Sequence, residues 1–187
     1  HHAYLKPGLG ISGGNLERDL NNVIDFAKKY KTDDKSIKAM ISNSKHSKNW
    51  VWRQLNELVL KNKKKPKICL LGLSYKENTS SIKNAPSIEL LSKLNKYDVS
   101  VFDPAISKNS INYSVHVARS PIEAIKKADV LLIMSPWKEF YHLKIKVLNK
   151  IMRGKVVIDP YRILNEKQLN KYGFIYSTIG KSKRINQ

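Results

Sequence analysis

The sequence has a single cysteine, Cys69, among its 187 residues. One thiol excludes an intramolecular disulfide framework and any zinc site built from cysteines. No run of 18 apolar residues occurs, which excludes a membrane-spanning helix. Residues 1–14 lack a charged segment followed by an apolar stretch, so they do not resemble a secretory signal. From these absences we expect a cytoplasmic protein with no membrane partner.

Acidic residues are also scarce, since 15 Asp and Glu stand against 35 Lys and Arg and leave a formal net charge of +20. Such an excess indicates a polyanionic partner (nucleic acid, anionic membrane or a phosphorylated ligand), or only lysines that fill solvated surfaces. The densest basic run, residues 61–65, looks like a linker, and the other lysines are spread along the chain. Because no RNA-recognition core and no Cys/His finger occurs, we do not expect nucleic-acid binding as the primary function.

Glycine is concentrated at the start of the chain, where residues 4–14 form a loop. Four of the eight glycines lie there: Gly8, Gly10, Gly13 and Gly14. The backbone of such a loop passes close to another group or takes positive φ. Apolar residues at helical spacing begin at Leu16, and Asn15 is the candidate N-cap.

A second helical region covers residues 32–61, in which no Gly or Pro interrupts the apolar stripe. It predicts one long helix or two helices in series. Trp50 and Trp52 lie beside this stripe. They pack either on a partner subunit or on their own domain, and the sequence leaves both alternatives open.

From residue 66 onward, short apolar runs alternate with helical stretches. The predicted strands are 67–71, 99–102, 113–117, 130–134, 155–159 and 174–176, and the predicted helices are 85–94, 121–128, 143–152 and 166–172. This alternation predicts an α/β fold with a Rossmann-like doubly wound parallel sheet, covered on both faces. We therefore divide the chain into a loop and α-helical connector region, residues 1–65, and a Rossmann-like domain, residues 66–187.

Ligands of doubly wound sheets bind beyond the carboxyl ends of the strands. After the first predicted strand the chain reads Gly-Leu-Ser-Tyr-Lys, residues 72–76, instead of the dinucleotide fingerprint Gly-x-Gly-x-x-Gly. Side chains there would obstruct the backbone's approach to a pyrophosphate, although Asp103 stands at about the spacing of a ribose-binding acid. Lys76 instead offers a charge for a phosphate. The sheet therefore predicts a nucleotide that is not bound in the manner of NAD.

Several segments of the chain read as a recurring set of motifs: Leu-Gly-Leu-Ser-Tyr-Lys within residues 69–86, Val-Phe-Asp-Pro at 101–104, Ala-Asp and Trp-Lys-Glu-Phe within 128–140, and Val-Ile-Asp-Pro-Tyr-Arg at 157–162, followed by 173–180. In this order they resemble the UDP-glucose/GDP-mannose dehydrogenase family. Residues 69–86 are similar to its Leu-Gly-Leu-Ala-Phe-Lys-x-Asn-Thr-Asp-Asp-x-Arg-x-Ser-Pro segment, 101–104 to its Val-Tyr-Asp-Pro, 128–140 to its Ala-Asp…Trp-x-Glu-Phe element, and 157–162 and 173–180 to its ending. The resemblance implies an NAD-dependent oxidation of a UDP-sugar 6-hydroxyl to a uronate by two hydride transfers. It also implies a homodimer formed through helices near the connector.

Residues 4–19 align without gaps to the active-site loop of that family, Phe-Leu-x-Pro-Gly-x-Gly-Phe-Gly-Gly-x-Cys-Phe-x-Lys-Asp. In the family the Cys attacks the aldehyde, and the thiohemiacetal is oxidised to a thioester that water hydrolyses. Here Asn15 holds the Cys position, or Leu16 if the alignment slides by one, and neither is a comparable nucleophile. Asp19 matches the family Asp that positions water or acts in acid–base steps. Cys69 lies within a predicted buried strand and does not replace the missing thiol.

The resemblance also implies which residues bind the ligand. They are Tyr4, Leu5, Lys6, Gly10, Tyr75, Lys76 and Arg162, with Arg162 on the phosphates. NAD would be bound by the family's N-terminal domain and not by this chain, and no metal site is expected. Ser80 and Ser81 replace the family's Asp-Asp pair and Lys83 its Arg, so the substrate geometry is not carried over unchanged.

Several functions stay open at this point. The chain is either the substrate-binding and dimerisation portion of a nucleotide-sugar 6-dehydrogenase, which binds a UDP-sugar without turning it over alone, or a non-catalytic nucleotide-sugar-binding or assembly module. A dehydrogenase that stops at the aldehyde is a variant of the first reading, and a polyanion-binding protein is a third. The start at His1 fits a fragment or a reduced homologue. UDP-glucose, a UDP-N-acetylhexosamine and GDP-mannose are all candidate ligands.

Overall fold

A computed structural model of the chain describes residues 8–181. The helices are α1 (Asn15–Tyr30), α2 (Lys35–Lys48), α3 (Trp50–Leu55), α4 (Pro86–Lys93), α5 (Pro121–Ile125), α6 (Ile145–Ile151) and α7 (Glu166–Lys171). The strands are β1 (Lys67–Leu71), β2 (Asp98–Phe102), β3 (His116–Val117), β4 (Val130–Ile133), β5 (Val156–Ile158) and β6 (Ile175–Ser177). A π-helical turn, Asn56–Leu60, extends α3, and 3₁₀ turns cover Lys108–Ser110 and Lys138–His142.

The six strands form one sheet in the order β3-β2-β1-β4-β5-β6, and every neighbouring pair is parallel. This topology confirms the predicted α/β fold with a doubly wound parallel sheet. The strand order reverses between β1 and β4, so the crevice at the carboxyl ends of these two strands is where a ligand of such a sheet is expected.

Alternation along the strands divides the core into two layers. Ile68 and Leu70 of β1 face one layer, whereas Cys69 and Leu71 face the other, and all four are fully buried. Side chains of a strand point alternately to opposite faces, so a strand buried on both sides is a continuous apolar run. Burial of each such aliphatic side chain stabilises the fold by about 1.5–3 kcal/mol.

The helices before the sheet pack on its first layer. Val51, Leu55 and Val59 belong to the same buried cluster as Ile68 and Leu70 of β1. Residues 35–60 form α2, α3 and the π-helical turn one after another, which confirms the prediction of helices in series. Trp50 and Trp52 are partly buried against this cluster, so they pack on their own chain.

Helix α1 begins one residue earlier than predicted. Gly14, rather than Asn15, is the N-cap, and no side chain caps the helix. The prediction was wrong because Gly14 already has near-helical dihedral angles, φ −101° and ψ −16°, which makes Asn15 the first helical residue. Within residues 8–181, no helix has the length and apolar character needed to cross a membrane.

Candidate functional site

The glycine-rich loop is held against α2 and the segment that follows β1. The Ile11 N–H donates to Ser44 Oγ at 2.8 Å, and Ser12 Oγ donates to the Tyr75 carbonyl oxygen at 3.5 Å. Gly10 has φ +76°, and a Cβ there would lie 2.6 Å from the Ser44 carbonyl oxygen. The loop therefore needs glycine at this position both for its backbone angle and for the close approach to α2.

Aromatic side chains support the loop from the sheet side. Gly13 lies against the Tyr75 ring, where an added Cβ would come within 3.0 Å of a ring carbon. The Tyr161 hydroxyl donates to the Met134 carbonyl oxygen at 3.0 Å and accepts from the Leu9 backbone N–H. Burial, with Asp159 nearby, raises the pKa of Tyr161 well above its usual value. The loop is thus tied to the carboxyl ends of β1, β4 and β5.

Three polar side chains from three elements meet beneath the loop, and we call them the Lys48 cluster: Lys48 of α2, Asn84 before α4 and Glu17 of α1. The Lys48 ammonium donates to Asn84 Oδ1 and lies 3.6 Å from the Glu17 carboxylate. Asn84 Nδ2 donates to the Glu17 carboxylate and, at 3.1 Å, to the Gly13 carbonyl oxygen. Sequence reasoning missed Lys48 and Asn84, because nothing local in the chain marks a lysine in a basic helix as buried.

An open cavity of about 300 Å³ lies beside the start of α1. It is lined by Gly13, Gly14, Glu17, Arg18, Asn21, Lys83 and Asn84. Two cations, Arg18 and Lys83, therefore face a space bordered by the N-terminus of a helix. A helix N-terminus carries unpaired N–H groups and a partial positive charge, so the electrostatics here favour an anionic ligand.

The structure brings together some of the sequence-predicted residues. Gly10 lies in the contact between the loop and α2, and Tyr75 lies in the contact between Gly13 and the segment after β1. Asn15 is exposed at the start of α1, next to the cavity. Asp19 is exposed and paired with Arg18 at 3.0 Å. The Lys76 ammonium lies 5.6 Å from the centre of the Tyr75 ring.

Other predicted residues lie apart from the loop or beyond the described chain. Arg162 follows β5, has φ +56° and donates to the Ile179 carbonyl oxygen, so its guanidinium packs on the last described segment. Tyr4, Leu5 and Lys6 lie outside the described residues.

Asp103 follows β2 and is buried, with both carboxylate oxygens used within the chain. Oδ2 accepts from the Leu73 and Ser74 N–H groups at 2.7 and 2.9 Å, from Ser74 Oγ and from Trp137 Nε1. Oδ1 accepts from the N–H groups of Ala105 and Ile106. Asp103 therefore stands at the spacing of a ribose-binding acid, but its carboxylate is used to hold the turn after β1 in place.

The crevice between β1 and β4 does not fit a dinucleotide held in the usual way. Gly72 has φ +91°, and a Cβ there would lie 2.1 Å from Ser135 Oγ, so the turn after β1 packs directly on the end of β4. The glycines that admit a pyrophosphate are absent from residues 73–76, and Asp103 is occupied. The residues present therefore do not form the pyrophosphate-binding turn of a dinucleotide fold.

In the described part of the chain, the carboxyl edge of the sheet holds neither a reactive thiol nor a metal site. Cys69 is fully buried in β1, as predicted, and burial raises the pKa of its thiol far above the usual value. A thiol in this state is not a nucleophile. Within residues 8–181, no three His, Cys, Asp or Glu side chains are grouped as ligands for a metal ion.

The doubly wound sheet and the loop on its carboxyl edge define a nucleotide-binding class of α/β domain. Residues 69–166 match the UDP binding domain of the UDP-glucose/GDP-mannose dehydrogenase family, and the chain belongs to this family. The predicted resemblance is thereby confirmed.

Relatives of known name agree with the family. The chain is 28% identical over 183 residues to the UDP-glucose 6-dehydrogenase of Rickettsia prowazekii, a match that covers 95% of this chain and 42% of that protein. It is 26% identical over 182 residues to the UDP-glucose 6-dehydrogenase of Rhizobium meliloti, a match that also covers 95% of this chain and 42% of that protein. The chain therefore spans about two fifths of the length of these curated relatives.

Solved structures agree with the fold. The UDP-glucose dehydrogenase of Pyrobaculum islandicum is similar with a TM-score of 0.73 and 22% identity, covering 91% of this chain and 38% of that one. The UDP-D-ManNAc dehydrogenase of Pyrococcus horikoshii is similar with a TM-score of 0.72 and 23% identity, covering 96% and 41%.

Proposed function

We propose that this chain binds a nucleoside-diphosphate sugar, a UDP-sugar in the first place, at the carboxyl edge of its sheet. The observation that carries the proposal is the docking of the glycine loop, residues 8–14, on the segment 72–85 of a family UDP binding domain. The contact creates a cavity with cationic walls at the start of α1. In this role the chain is the substrate-binding portion of a nucleotide-sugar 6-dehydrogenase.

The charges at this edge suit a diphosphate. Lys76 and Lys83 are exposed on the segment after β1, and Lys83 lines the cavity together with Arg18 of α1. Ammonium and guanidinium groups bind phosphate oxygens, and the first N–H groups of a helix add further donors. The Arg162 guanidinium donates to the Ile179 carbonyl oxygen from one nitrogen, so it would bind a phosphate through its remaining N–H groups.

Asn15 determines what this chain does with its ligand. An amide cannot form the thiohemiacetal that the family's Cys forms, so we expect the isolated chain to bind a UDP-sugar without oxidising it. NAD would be bound outside this chain, since the crevice between β1 and β4 does not fit it. A non-catalytic nucleotide-sugar-binding or assembly module remains the alternative, and the Asn15 substitution is the observation that favours it.

We further propose that the chain forms a homodimer and acts in the cytoplasm. Support for a dimer comes from apolar side chains of α1 that are about half exposed or more. They are Leu16, Val23, Phe26 and Tyr30, at 46–65% exposure. Their spacing places them on one side of the helix, next to the buried stripe of Leu20, Ile24 and Ala27.

Thermal unfolding with added ligands tests the binding proposal. UDP, UDP-glucose, GDP-mannose, NAD⁺ and an oligonucleotide are compared at low and high salt. A ligand that binds only the folded chain adds RT ln(1 + [L]/Kd), about 2.7 kcal/mol at a hundredfold excess over Kd. We expect a salt-resistant shift with a uridine nucleotide and none with NAD⁺. A shift with the oligonucleotide alone, abolished by salt, would show that the chain is a polyanion binder instead.

A matched pair of variants assigns the binding to this edge. Lys83→Met removes a cation from the cavity wall and should reduce the shift caused by the uridine nucleotide. Lys126→Met removes an exposed cation just before β4, on the side of the sheet where the amino ends of the parallel strands lie. This variant should leave the shift unchanged. If the uridine nucleotide shifted the unfolding of both variants equally, the ligand would bind away from the cavity.

A further inference from the structure

Lys48 is buried, which is unusual for a lysine. Its side chain is 6% exposed, and it is the one buried lysine among the described residues. Lysine is almost never fully buried unless it is paired. Here the ammonium donates to Asn84 Oδ1 and lies 3.6 Å from the Glu17 carboxylate, so its charge is compensated beneath the glycine loop.

We propose that Lys48 is a positioning residue of the nucleotide-sugar site, which acts through Asn84 and Glu17 without touching the ligand. This inference rests on the proposed function. Lys48 has two effects: it orients the Asn84 amide that holds the loop, and it neutralises the carboxylate on the cavity wall.

The first effect concerns the orientation of Asn84. An ammonium only donates, so it fixes Oδ1 toward Lys48 and turns Nδ2 toward groups that only accept. These acceptors are the Gly13 carbonyl oxygen at 3.1 Å and the Glu17 carboxylate. Asn84 has φ +53°, a left-handed conformation that asparagine tolerates better than most residues. The Lys48 cluster thus fixes the part of the loop that immediately precedes Asn15.

The second effect is electrostatic. The Glu17 side chain is 35% exposed and lines the cavity that we assign to the ligand. A diphosphate carries negative charge, and an uncompensated carboxylate in the wall would repel it across a partly buried site, where screening is weak. Lys48, which does not line the cavity itself, compensates this charge at 3.6 Å. With Glu17 compensated by Lys48 and Arg18 paired with Asp19, Lys83 gives the cavity wall its positive balance.

Lys48→Met tests the inference, with UDP-glucose binding measured by calorimetry on the whole chain. The substitution keeps the length and apolar stem of the side chain and removes the charge. We expect binding to weaken about tenfold, which corresponds to about 1.4 kcal/mol. Lys45→Met, on an exposed position of the same helix, is the control and should bind as the wild type does. Unchanged binding by Lys48→Met would overturn the proposal.

Glu17 variants separate charge compensation from a loss of packing. Lys48→Met combined with Glu17→Gln should recover the part of the affinity that the uncompensated carboxylate removes, whereas the part that depends on the orientation of Asn84 stays lost. Glu17→Gln alone should bind at least as tightly as the wild type, which keeps the test valid if Lys48→Met does not fold. A double variant as weak as Lys48→Met, or a threefold or greater loss in Glu17→Gln alone, would contradict neutralisation by Lys48.

Hydrogen exchange of the loop amides gives a measurement that needs no ligand. Lys48→Met should exchange faster at residues 11–14, whereas Lys45→Met should not. If the wild type binds no UDP-sugar, the proposed function fails. The positioning of the loop is then judged by exchange alone: faster exchange in Lys48→Met supports it, and unchanged exchange overturns it.

Discussion

At the residue scale, two glycines with similar backbone angles have different surroundings. Gly72 has φ +91°, and an added Cβ would lie 2.1 Å from Ser135 Oγ and 2.7 Å from the Ser135 backbone nitrogen. Gly173 has φ +74°, and nothing lies within 4 Å of its added Cβ. Gly173→Ala should therefore cost about 1–2 kcal/mol through backbone strain alone. Gly72→Ala should cost at least about 2 kcal/mol more, measured by urea unfolding, because the overlap includes backbone. Equal losses would contradict this reading of the turn.

Asn84 allows a second prediction from an isosteric change. Asn84→Asp keeps the shape and the tolerance of positive φ, but it places an acceptor where Nδ2 now donates to the Gly13 carbonyl oxygen. The new carboxylate also faces Glu17, so we expect a loss of about 2 kcal/mol in unfolding free energy at neutral pH. Asn78→Asp is the control, since Asn78 also has positive φ, +57°, but is exposed. A loss no larger than that of the control would show that the Lys48 cluster does not stabilise the loop.

Residue by residue, the sequence predicted the site only where a motif marked it. Gly10 and Tyr75 belong to motif segments, and the structure places both along the docked loop, Gly10 against Ser44 of α2 and Tyr75 against Gly13. Lys48 and Asn84 are 36 positions apart, and their pairing depends on how α2 packs against the segment before α4. Spacing suggested that Asp103 binds a ligand, but it could not reveal that neighbouring N–H groups already occupy the carboxylate.

At the element scale, the strands were the easiest part of the fold to predict. Strands β1, β4 and β5 lie within short apolar runs with clear ends, such as β1 between Pro66 and Gly72, because a strand buried on both faces must be apolar throughout. The interruption of the helical region at Asn49 and the π-helical turn Asn56–Leu60 were not predictable. They depend on how α3 fits onto the sheet, which no local pattern records.

The start of β4 carries an ionic contact that should make stability depend on pH. Asp129 is 4% exposed and accepts from Lys63 at 2.5 Å, from the Lys67 N–H at 2.8 Å and from Arg153 at 2.7 Å. Burial alone would raise the pKa of this carboxyl, but the bonds from Arg153, Lys63 and the Lys67 N–H outweigh it and hold the pKa well below the usual range. The contribution of Asp129 to stability is therefore present above its unfolded pKa of about 3.9 and is lost as the pH falls below that value.

Asp129→Asn measures this contribution. The variant should be less stable than the wild type at pH 7. The difference in unfolding free energy should shrink at pH 3, where Asp129 is protonated in the unfolded chain but still ionised in the folded one. Asp25→Asn, which changes an exposed pair with Lys28 on α1, should stay close to the wild type at both pH values. A difference between wild type and Asp129→Asn that is constant or grows at low pH would contradict the assignment.

At the scale of the whole molecule, the proposed homodimer has to form against a net charge of +20 on each copy. The exposed residues of α1 supply apolar area for association, while the like charges of two copies repel each other. Salt screens this repulsion, since the Debye length falls from about 30 Å at 0.01 M to about 8 Å at 0.15 M. A dimer held by the apolar face of α1 should therefore become tighter as salt is added, whereas binding to a polyanion should become weaker.

Sedimentation velocity across salt concentrations tests the dimer with one matched pair of variants. Phe26→Glu places a charge in the exposed face of α1, where Phe26 is 59% exposed, and should yield monomers at every salt concentration. Ile122→Glu changes a comparably exposed apolar residue of α5, at 44%, and should dimerise as the wild type does. A wild type that sediments as a monomer in high salt would exclude this homodimer. A dimer that weakens with salt would instead show that ion pairs, and not the apolar face of α1, hold the two copies together.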